Sequence, residues 1–280
     1  MLNWSGKTMT QKDKALQFEA LHKRDGIFLI PNPWDAGSAR MLAGFGFEAL
    51  ATSSAASAGV LGRRDGRISR DEAIAHARGI VNATNLPVSA DLENGFGAEP
   101  GVVAETIRMA SEAGLVGASI EDSSGNSEKP LYDIALAAER IAAAVETARS
   151  LPFPFMVTAR AENFFRGKPD LDDVINRLLA CEKAGADVLF APALPDLAAV
   201  KAVCDAVSKP VNFMVGIKGK SFTVADLVAA GVKRISLSAS FYRAAMSGLA
   251  AAAREVKEQG TFGYLDHCLT TPELARFFAG

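Results

Sequence analysis

The chain is poor in cysteine, histidine, tryptophan and net charge, and each shortage removes a class of function. Three cysteines among 280 residues, Cys181, Cys204 and Cys268, show no metal-ligand spacing, so neither a disulfide framework nor a zinc site is indicated. Cys181 and Cys204 sit in helical patterns and read as ordinary core or helix-face residues, and a cytoplasmic protein with reduced thiols is the expectation. Of the three histidines, His22 and His76 fall in helical patterns and read as solvent-facing, while His267 lies in a C-terminal connector. A net charge of −2 argues against nucleic acid or an anionic membrane as the main partner. No apolar run reaches transmembrane length, and the N-terminus lacks the apolar stretch of a signal peptide.

What is present is a large apolar fraction, 49%, with 22% charged residues, enough for a sizeable core. Short apolar runs alternate with amphipathic stretches. The expected strands are 26–32, 47–54, 86–93, 117–122, 155–162, 187–192, 210–215 and 234–240. Helical patterns fall at 100–113, 132–148, 171–184, 197–207 and 224–230. Several end in Ala-Gly (Ala113-Gly114, Ala184-Gly185, Ala230-Gly231), where glycine supplies the left-handed residue that closes a helix. Eight strand–helix units predict a parallel (β/α)8 barrel of the TIM type. The competing doubly wound sheet lacks its Gly-x-Gly-x-x-Gly turn after the first strand. No linker divides the chain, so residues 1–280 form one expected domain, with a helical cap over 1–25 and C-terminal helices over 241–280.

Active sites of such barrels gather at the C-terminal ends of the strands. There the third strand offers Asp91 and Glu93, two apart on the expected strand and so on one face. Adjacent carboxylates at the end of an apolar run need a cation or a proton to offset them, and a divalent metal with oxygen ligands is the simplest offset. The fourth strand adds Glu121 and Asp122, the fifth Arg160, the second Ser53, Ser54 and Ala55, and the seventh Asn212. Asp122 also fits a helix cap or a loop salt bridge, and Arg160 also fits simple neutralisation of the acids. Residues 123–130 form a long polar loop that reads as a mobile lid or as a flexible surface loop. Residues 59–65 bring Asp65 and two arginines toward the same mouth.

On these motifs the chain resembles the isocitrate lyase/phosphoenolpyruvate mutase superfamily. The resemblance runs from Asn32-Pro33-Trp34-Asp35 through Ser53, Leu61-Gly62-x-x-Asp65, Asp91-x-Glu93-x-Gly95-x-Gly97 and Ser119-Ile120-Glu121-Asp122 to Thr158-Ala159-Arg160-x-Glu162. It implies an α/β barrel whose C-terminal helix swaps between paired subunits, in a homo-oligomer arranged as a dimer of dimers. It also implies Mg2+, with Mn2+ as a substitute, and a small 2-oxo or 2-hydroxy carboxylate substrate. Asp91 would be the direct metal ligand, and Asp65, Glu93 and Glu121 would hold the ion through its waters. Ser53 and the backbone N–H groups of Ser54 and Ala55 would grip the substrate carboxylate, with Trp34 and Asn212 as further substrate contacts. Arg160, Glu121 and Asp65 are the candidate catalytic residues.

The resemblance implies a Mg2+-dependent carbon–carbon lyase working through an enolate. A phosphonopyruvate-type P–C mutase or hydrolase and a non-catalytic 2-oxo acid binder are the alternatives. Isocitrate and methylisocitrate lyases carry a cysteine in the lid, and the phosphonate enzymes carry an early lid lysine and a histidine ending the sixth strand. Here the lid has neither cysteine nor histidine, Lys129 comes late, and the sixth run ends Phe190-Ala191-Pro192. Ser124 and Asn126 are the lid groups left to replace the donor.

Overall fold

A computed structural model describes residues 9–278. Residues 1–8 of the expected N-terminal cap and 279–280 of the expected C-terminal segment lie outside the described residues. The order is α1 (Gln11–Lys23), β1 (Phe28–Ile30), α2 (Ala36–Gly44), β2 (Leu50–Ala51), α3 (Ser54–Val60), α4 (Arg70–Ala83), β3 (Val88–Asp91), α5 (Pro100–Glu112), β4 (Gly117–Glu121) and α6 (Ile134–Arg149). It continues with β5 (Met156–Arg160), α7 (Leu171–Lys183), β6 (Val188–Phe190), α8 (Leu197–Ala206), β7 (Val211–Met214), α9 (Val224–Ala229), β8 (Arg234–Ser236), α10 (Ser240–Gln259), a short 3-10 turn at Gly263–His267 and α11 (Thr271–Phe278).

All eight strands are parallel, in the order β1-β8-β7-β6-β5-β4-β3-β2. β1 and β2 share no ladder. Their seam is crossed by the Ala51 N–H donating to the Pro31 carbonyl (3.0 Å) and by buried Asn32. The Asn32 side chain donates to the Thr52 carbonyl (2.8 Å) and accepts from the Leu237 N–H (2.9 Å), so one amide ties together the ends of three strands. The barrel expected from the alternating pattern is therefore present and nearly closed.

Local chemistry accounts for the helix ends. Thr10, Ser69 and Thr223 each make a capping box with the acid three residues on, Asp13, Glu72 and Asp226. Gly114, Gly185 and Gly231 take φ of 90°, 98° and 92° just past α5, α7 and α9, as the Ala-Gly endings predict. Among these, a Cβ on Gly114 would lie 2.7 Å from Val81 Cγ1, so packing as well as φ excludes a larger residue.

The main core lies between strands and helices, built from residues such as Leu50, Ile80, Ile107, Leu115, Ile120, Leu178 and Leu189. A second cluster closes the barrel floor. Ala15, Phe18 and Leu21 of α1 pack against Phe28, Ala49, Val116, Met156 and Val188 near the strand starts. Here the expectation for one histidine fails. His22 is buried, with its ring edge-on to Phe18 and Phe28. His76 is half-buried between Ser57 Oγ (2.9 Å) and the Trp34 carbonyl (2.8 Å). A helical pattern gives a residue's face only relative to its neighbours, and the second packing surface on these helices is set by distant sequence.

At the other end of the chain α10 buries none of its side chains, and Leu249, Phe262 and Leu265 are about 60% exposed. α11 returns to the same chain's α2, where Phe277 packs over Gly44 and lies 5.1 Å from the ring of Phe45.

Candidate active site

A cavity of about 300 Å3 opens at the C-terminal ends of the strands and is walled by side chains from nearly every stave. Ser53, Ser54, Ala55, Asp65, Asp91, Glu93, Glu121, Arg160 and Asn212 all line it. Trp34 does not. Its ring stands against Tyr242 (5.7 Å), with its carbonyl turned to His76. Nor do the two arginines of the loop after α3, Arg63 and Arg64, reach the cavity wall, and Arg63 is paired with Glu72 at 2.6 Å.

Asp91 ends β3 and is fixed by backbone. Its Oδ2 accepts from the Ser54 N–H (3.2 Å) and its Oδ1 from the Glu93 N–H (3.3 Å), while its own N–H donates to the buried Thr52 hydroxyl (3.0 Å). Glu93 arrives differently from the expectation. β3 stops at Asp91, and Glu93 stands in a turn with φ 48°, so it meets Asp91 through a left-handed residue rather than by strand alternation. A non-glycine residue held there stores strain, which concentrates at functional positions. Ser238, also on the cavity wall, has φ 50°. The turn is glycine-rich for a packing reason, since a Cβ on Gly97 would fall 2.7 Å from Val102 Cγ1.

Arg160 lies at the centre of the acids. Its Nε pairs with Glu162 Oε1 (2.5 Å), and one Nη lies 3.4 Å from Glu121 Oε2 and 3.6 Å from Asp91 Oδ1. Arg166, one turn beyond Glu162, pairs with Glu121 Oε1 (3.0 Å) and Glu162 Oε2 (3.2 Å). Burial pushes Glu93 up to about 7, helped by the charges of Asp91 and Asp65 and opposed by Arg160 and Arg166. Burial raises Glu121 as well, with Arg160 opposing and Glu162 and Asp91 reinforcing. Asp122 faces away from this centre. It accepts from the Glu162 N–H (2.9 Å) and pairs with Arg177 (3.1 Å), so of its alternatives the salt bridge is the one formed.

A further group anchors the acids from behind. Arg140 of α6 is buried, lies 4.3 Å above the Tyr132 ring, and donates to the backbone carbonyls of Glu121 (3.1 Å), Gly97 (3.1 Å) and Asn94. It thereby ties the end of β4 to the turn that carries Glu93. The 123–130 loop is held by its own side chains: Ser124 Oγ donates to the Lys129 carbonyl (2.5 Å) and accepts from the Asn126 N–H (3.0 Å). Asn126 Oδ1 accepts from the Glu128 N–H (2.8 Å). Both lid polar groups are thus engaged within the loop.

The donor set fits a hydrated divalent ion. Glu93 Oε1 is buried with no hydrogen-bond partner among the described residues, and burial together with neighbouring negative charge disfavours its ionised form. Both are relieved by a cation. No three His, Cys, Asp or Glu side chains are placed to grip an ion together among the described residues, so an ion held here would be ligated in good part by water.

Sequence reasoning passed over Arg166, Arg140, Arg234 and the wall-lining role of Asn32. Arg166 carries a signal, its i,i+4 spacing from Glu162. Arg140 and Arg234 look like ordinary charges of a helix and of a strand start.

An acid-lined mouth on a parallel barrel, with a guanidinium among the carboxylates, has the form of an α/β-barrel enzyme site. The chain belongs to the phosphoenolpyruvate phosphomutase family, which it matches over residues 18–257, within the isocitrate lyase/PEP mutase superfamily. A solved chain from Burkholderia cenocepacia, provisionally described as a lyase/mutase, is 51% identical. It superposes with a TM-score of 0.94, covering 96% of this chain and 97% of that one. A 2-methylisocitrate lyase of Halalkalibacterium halodurans is 30% identical over 263 residues, 90% of this chain and 85% of the relative. A solved 2,3-dimethylmalate lyase is 27% identical with a TM-score of 0.85, covering 98% of this chain and 96% of that one.

Proposed function

We propose that this protein is a Mg2+-dependent lyase that cleaves a carbon–carbon bond in a small 2-oxo or 2-hydroxy dicarboxylate through an enolate. The observation that carries the reading is the convergence of Asp91, Glu93, Glu121 and Arg160 on one cavity. Relatives named as lyases of 2-methylisocitrate and 2,3-dimethylmalate support the substrate class.

Asp91 would hold the ion directly, with Asp65, Glu93 and Glu121 holding its waters; Mn2+ would serve in its place. When bound, the ion supplies Lewis acidity toward the carboxylate and the 2-oxygen. Ser53 and the N–H groups of Ser54 and Ala55 orient the substrate carboxylate, the Ser54 N–H exchanging Asp91 for the substrate. In a 2-hydroxy acid the hydroxyl proton would pass to a carboxylate of the cavity as C–OH becomes C=O, and the electron pair of the breaking C–C bond passes to the fragment that becomes the enolate. Arg160 stands ready to stabilise that developing charge, the kind of preorganised electrostatics that usually dominates such catalysis. The 123–130 loop would exclude water while the enolate awaits its proton. The exposed apolar side of α10 supports a homo-oligomer in which α10 is exchanged between subunits.

A panel of lactate, malate, oxaloacetate, alkylmalates and phosphonopyruvate, with and without Mg2+, tests the reading. The expected result is Mg2+-dependent release of a 2-oxo acid from one dicarboxylate, lost by about 100-fold or more in Asp91→Ala with the fold intact. Phosphate release from phosphonopyruvate would instead assign the P–C alternative, which the family match keeps in view. Full turnover by Asp91→Ala would remove the metal assignment, and binding without turnover would leave a 2-oxo acid binder.

A further inference from the structure

Three arginines face the cavity, and their surroundings differ. Arg160 and Arg166 share the carboxylates of Asp91, Glu121 and Glu162. Arg234, at the start of β8, is buried and has no carboxylate within ion-pairing distance among the described residues. It is held by neutral groups instead. Its Nε donates to Asn212 Oδ1 (2.8 Å), one Nη donates to Thr158 Oγ1 (3.2 Å), and the other lies 3.4 Å from His22 Nε2.

The direction of these bonds follows from which atoms carry protons. His22 Nδ1 sits 2.8 Å from the Phe18 carbonyl, which only accepts, so Nδ1 carries the proton and Nε2 is left as the acceptor for Arg234. A guanidinium only donates, so Asn212 must turn its oxygen to Arg234 and its NH2 the other way. That NH2 donates to Ser236 Oγ (3.0 Å). One Asn212 N–H and the Ser236 hydroxyl hydrogen then remain for the cavity, which both residues line. The chain of bonds runs one way, from a buried cation to the wall, and each bond polarises the next.

We propose that Arg234 is a positioning residue that, through Asn212 and Ser236, makes the β7–β8 wall a donor-rich, positively biased surface for a carboxylate of the substrate. This rests on the reading of the cavity as a site for small 2-oxo or 2-hydroxy acids and narrows it to substrates carrying a second anionic group. Across the cavity the cationic groups are already matched by acids, so this wall supplies the unmatched positive charge.

Lactate and malate differ by one carboxylate and provide the probe. Calorimetric titration with each, in the presence of Mg2+, is compared for the wild type, Arg234→Gln, Asn212→Asp and Ser236→Ala. In Arg234→Gln, malate affinity should fall by about 10- to 100-fold, the size of a lost charge-assisted contact, while lactate changes by less than about threefold. Asn212→Asp should do the same with Arg234 still in place, because its carboxylate accepts from Arg234 and from Ser236 and turns the wall from donor to acceptor. Ser236→Ala should show a smaller loss in the same direction. Should Arg234→Gln not fold, the other two variants carry the test. Equal losses for both ligands, or none, would overturn the role of Arg234. A wild type that binds neither acid would overturn the reading of the cavity itself, and this inference with it.

Discussion

Two sides of the same mouth solve opposite electrostatic problems. On the β3–β5 side, Asp91, Glu93, Glu121 and Glu162 crowd around Arg160 and Arg166, and the surplus is negative. On the β7–β8 side, Asn212, Thr158 and His22 surround a lone buried Arg234, and the surplus is positive. Burial penalises both. It is visible as carboxyls raised well above their ordinary range on one side, Glu93 to about 7, and as a guanidinium pulled down to about 9 on the other. The cavity is thus polarised across its width, an acid-rich wall facing one built on a buried cation.

The strongest way to break the contrast is Arg160→Met. It leaves Glu121 and the fully buried Glu162 without their central partner. Stripping a buried pair of one member costs about 3–5 kcal/mol, read as a lower urea midpoint, and turnover should disappear with it. Arg234→Met orphans no charge and should lower the midpoint by clearly less. An equal or larger drop would remove the distinction between the two walls. Arg140→Ala comes next. It leaves the carbonyls of Glu121, Asn94 and Gly97 without their donor, at roughly 1–3 kcal/mol for each group that stays dry, and it loosens the turn under Glu93. Unchanged urea denaturation of that variant would show that water replaces the guanidinium freely.

A gentler test sharpens the neutral side. Burial first, then the charge of Arg234, holds His22 down to about 3, against an ordinary 6.5. The fold thus favours the neutral ring. The stability from this group is complete above pH 6.5 and drains away as pH falls from there toward 3. The wild-type melting temperature should therefore fall more steeply between pH 7 and 4 than that of His22→Gln. Parallel curves would mean the ring titrates alike in both states. The smallest expected effect lies outside the mouth. Arg108→Ala on α5, which removes exposed pairs with Glu105 and Glu112, should leave the urea midpoint unchanged within error.

Much of this was legible in the sequence because it is local or periodic. Alternation gave the staves, Ala-Gly marked the helix ends, and acids at strand ends marked the mouth. Helices α2 and α3 escaped notice because each is short and rich in alanine, glycine and serine, with no clear apolar stripe. Glu93 reaches the cavity by another route than strand alternation, since the strand ends two residues sooner and a left-handed turn delivers the side chain. His22 and Arg234 are 212 positions apart in the chain and meet only after the barrel closes. No window of sequence contains that contact, and without it the histidine looks like a surface group and the arginine like a solvated one.

The side-chain amide of Asn32, gripping Thr52 on one flank and Leu237 on the other, gives the ring of staves a clasp. With the Ala51 N–H on the Pro31 carbonyl, it does at this seam what a ladder does between every other pair of neighbouring staves. Ser53 follows directly on the clasped Thr52, so the bond that fastens the seam also anchors the chain that carries Ser53, Ser54 and Ala55 to the cavity wall.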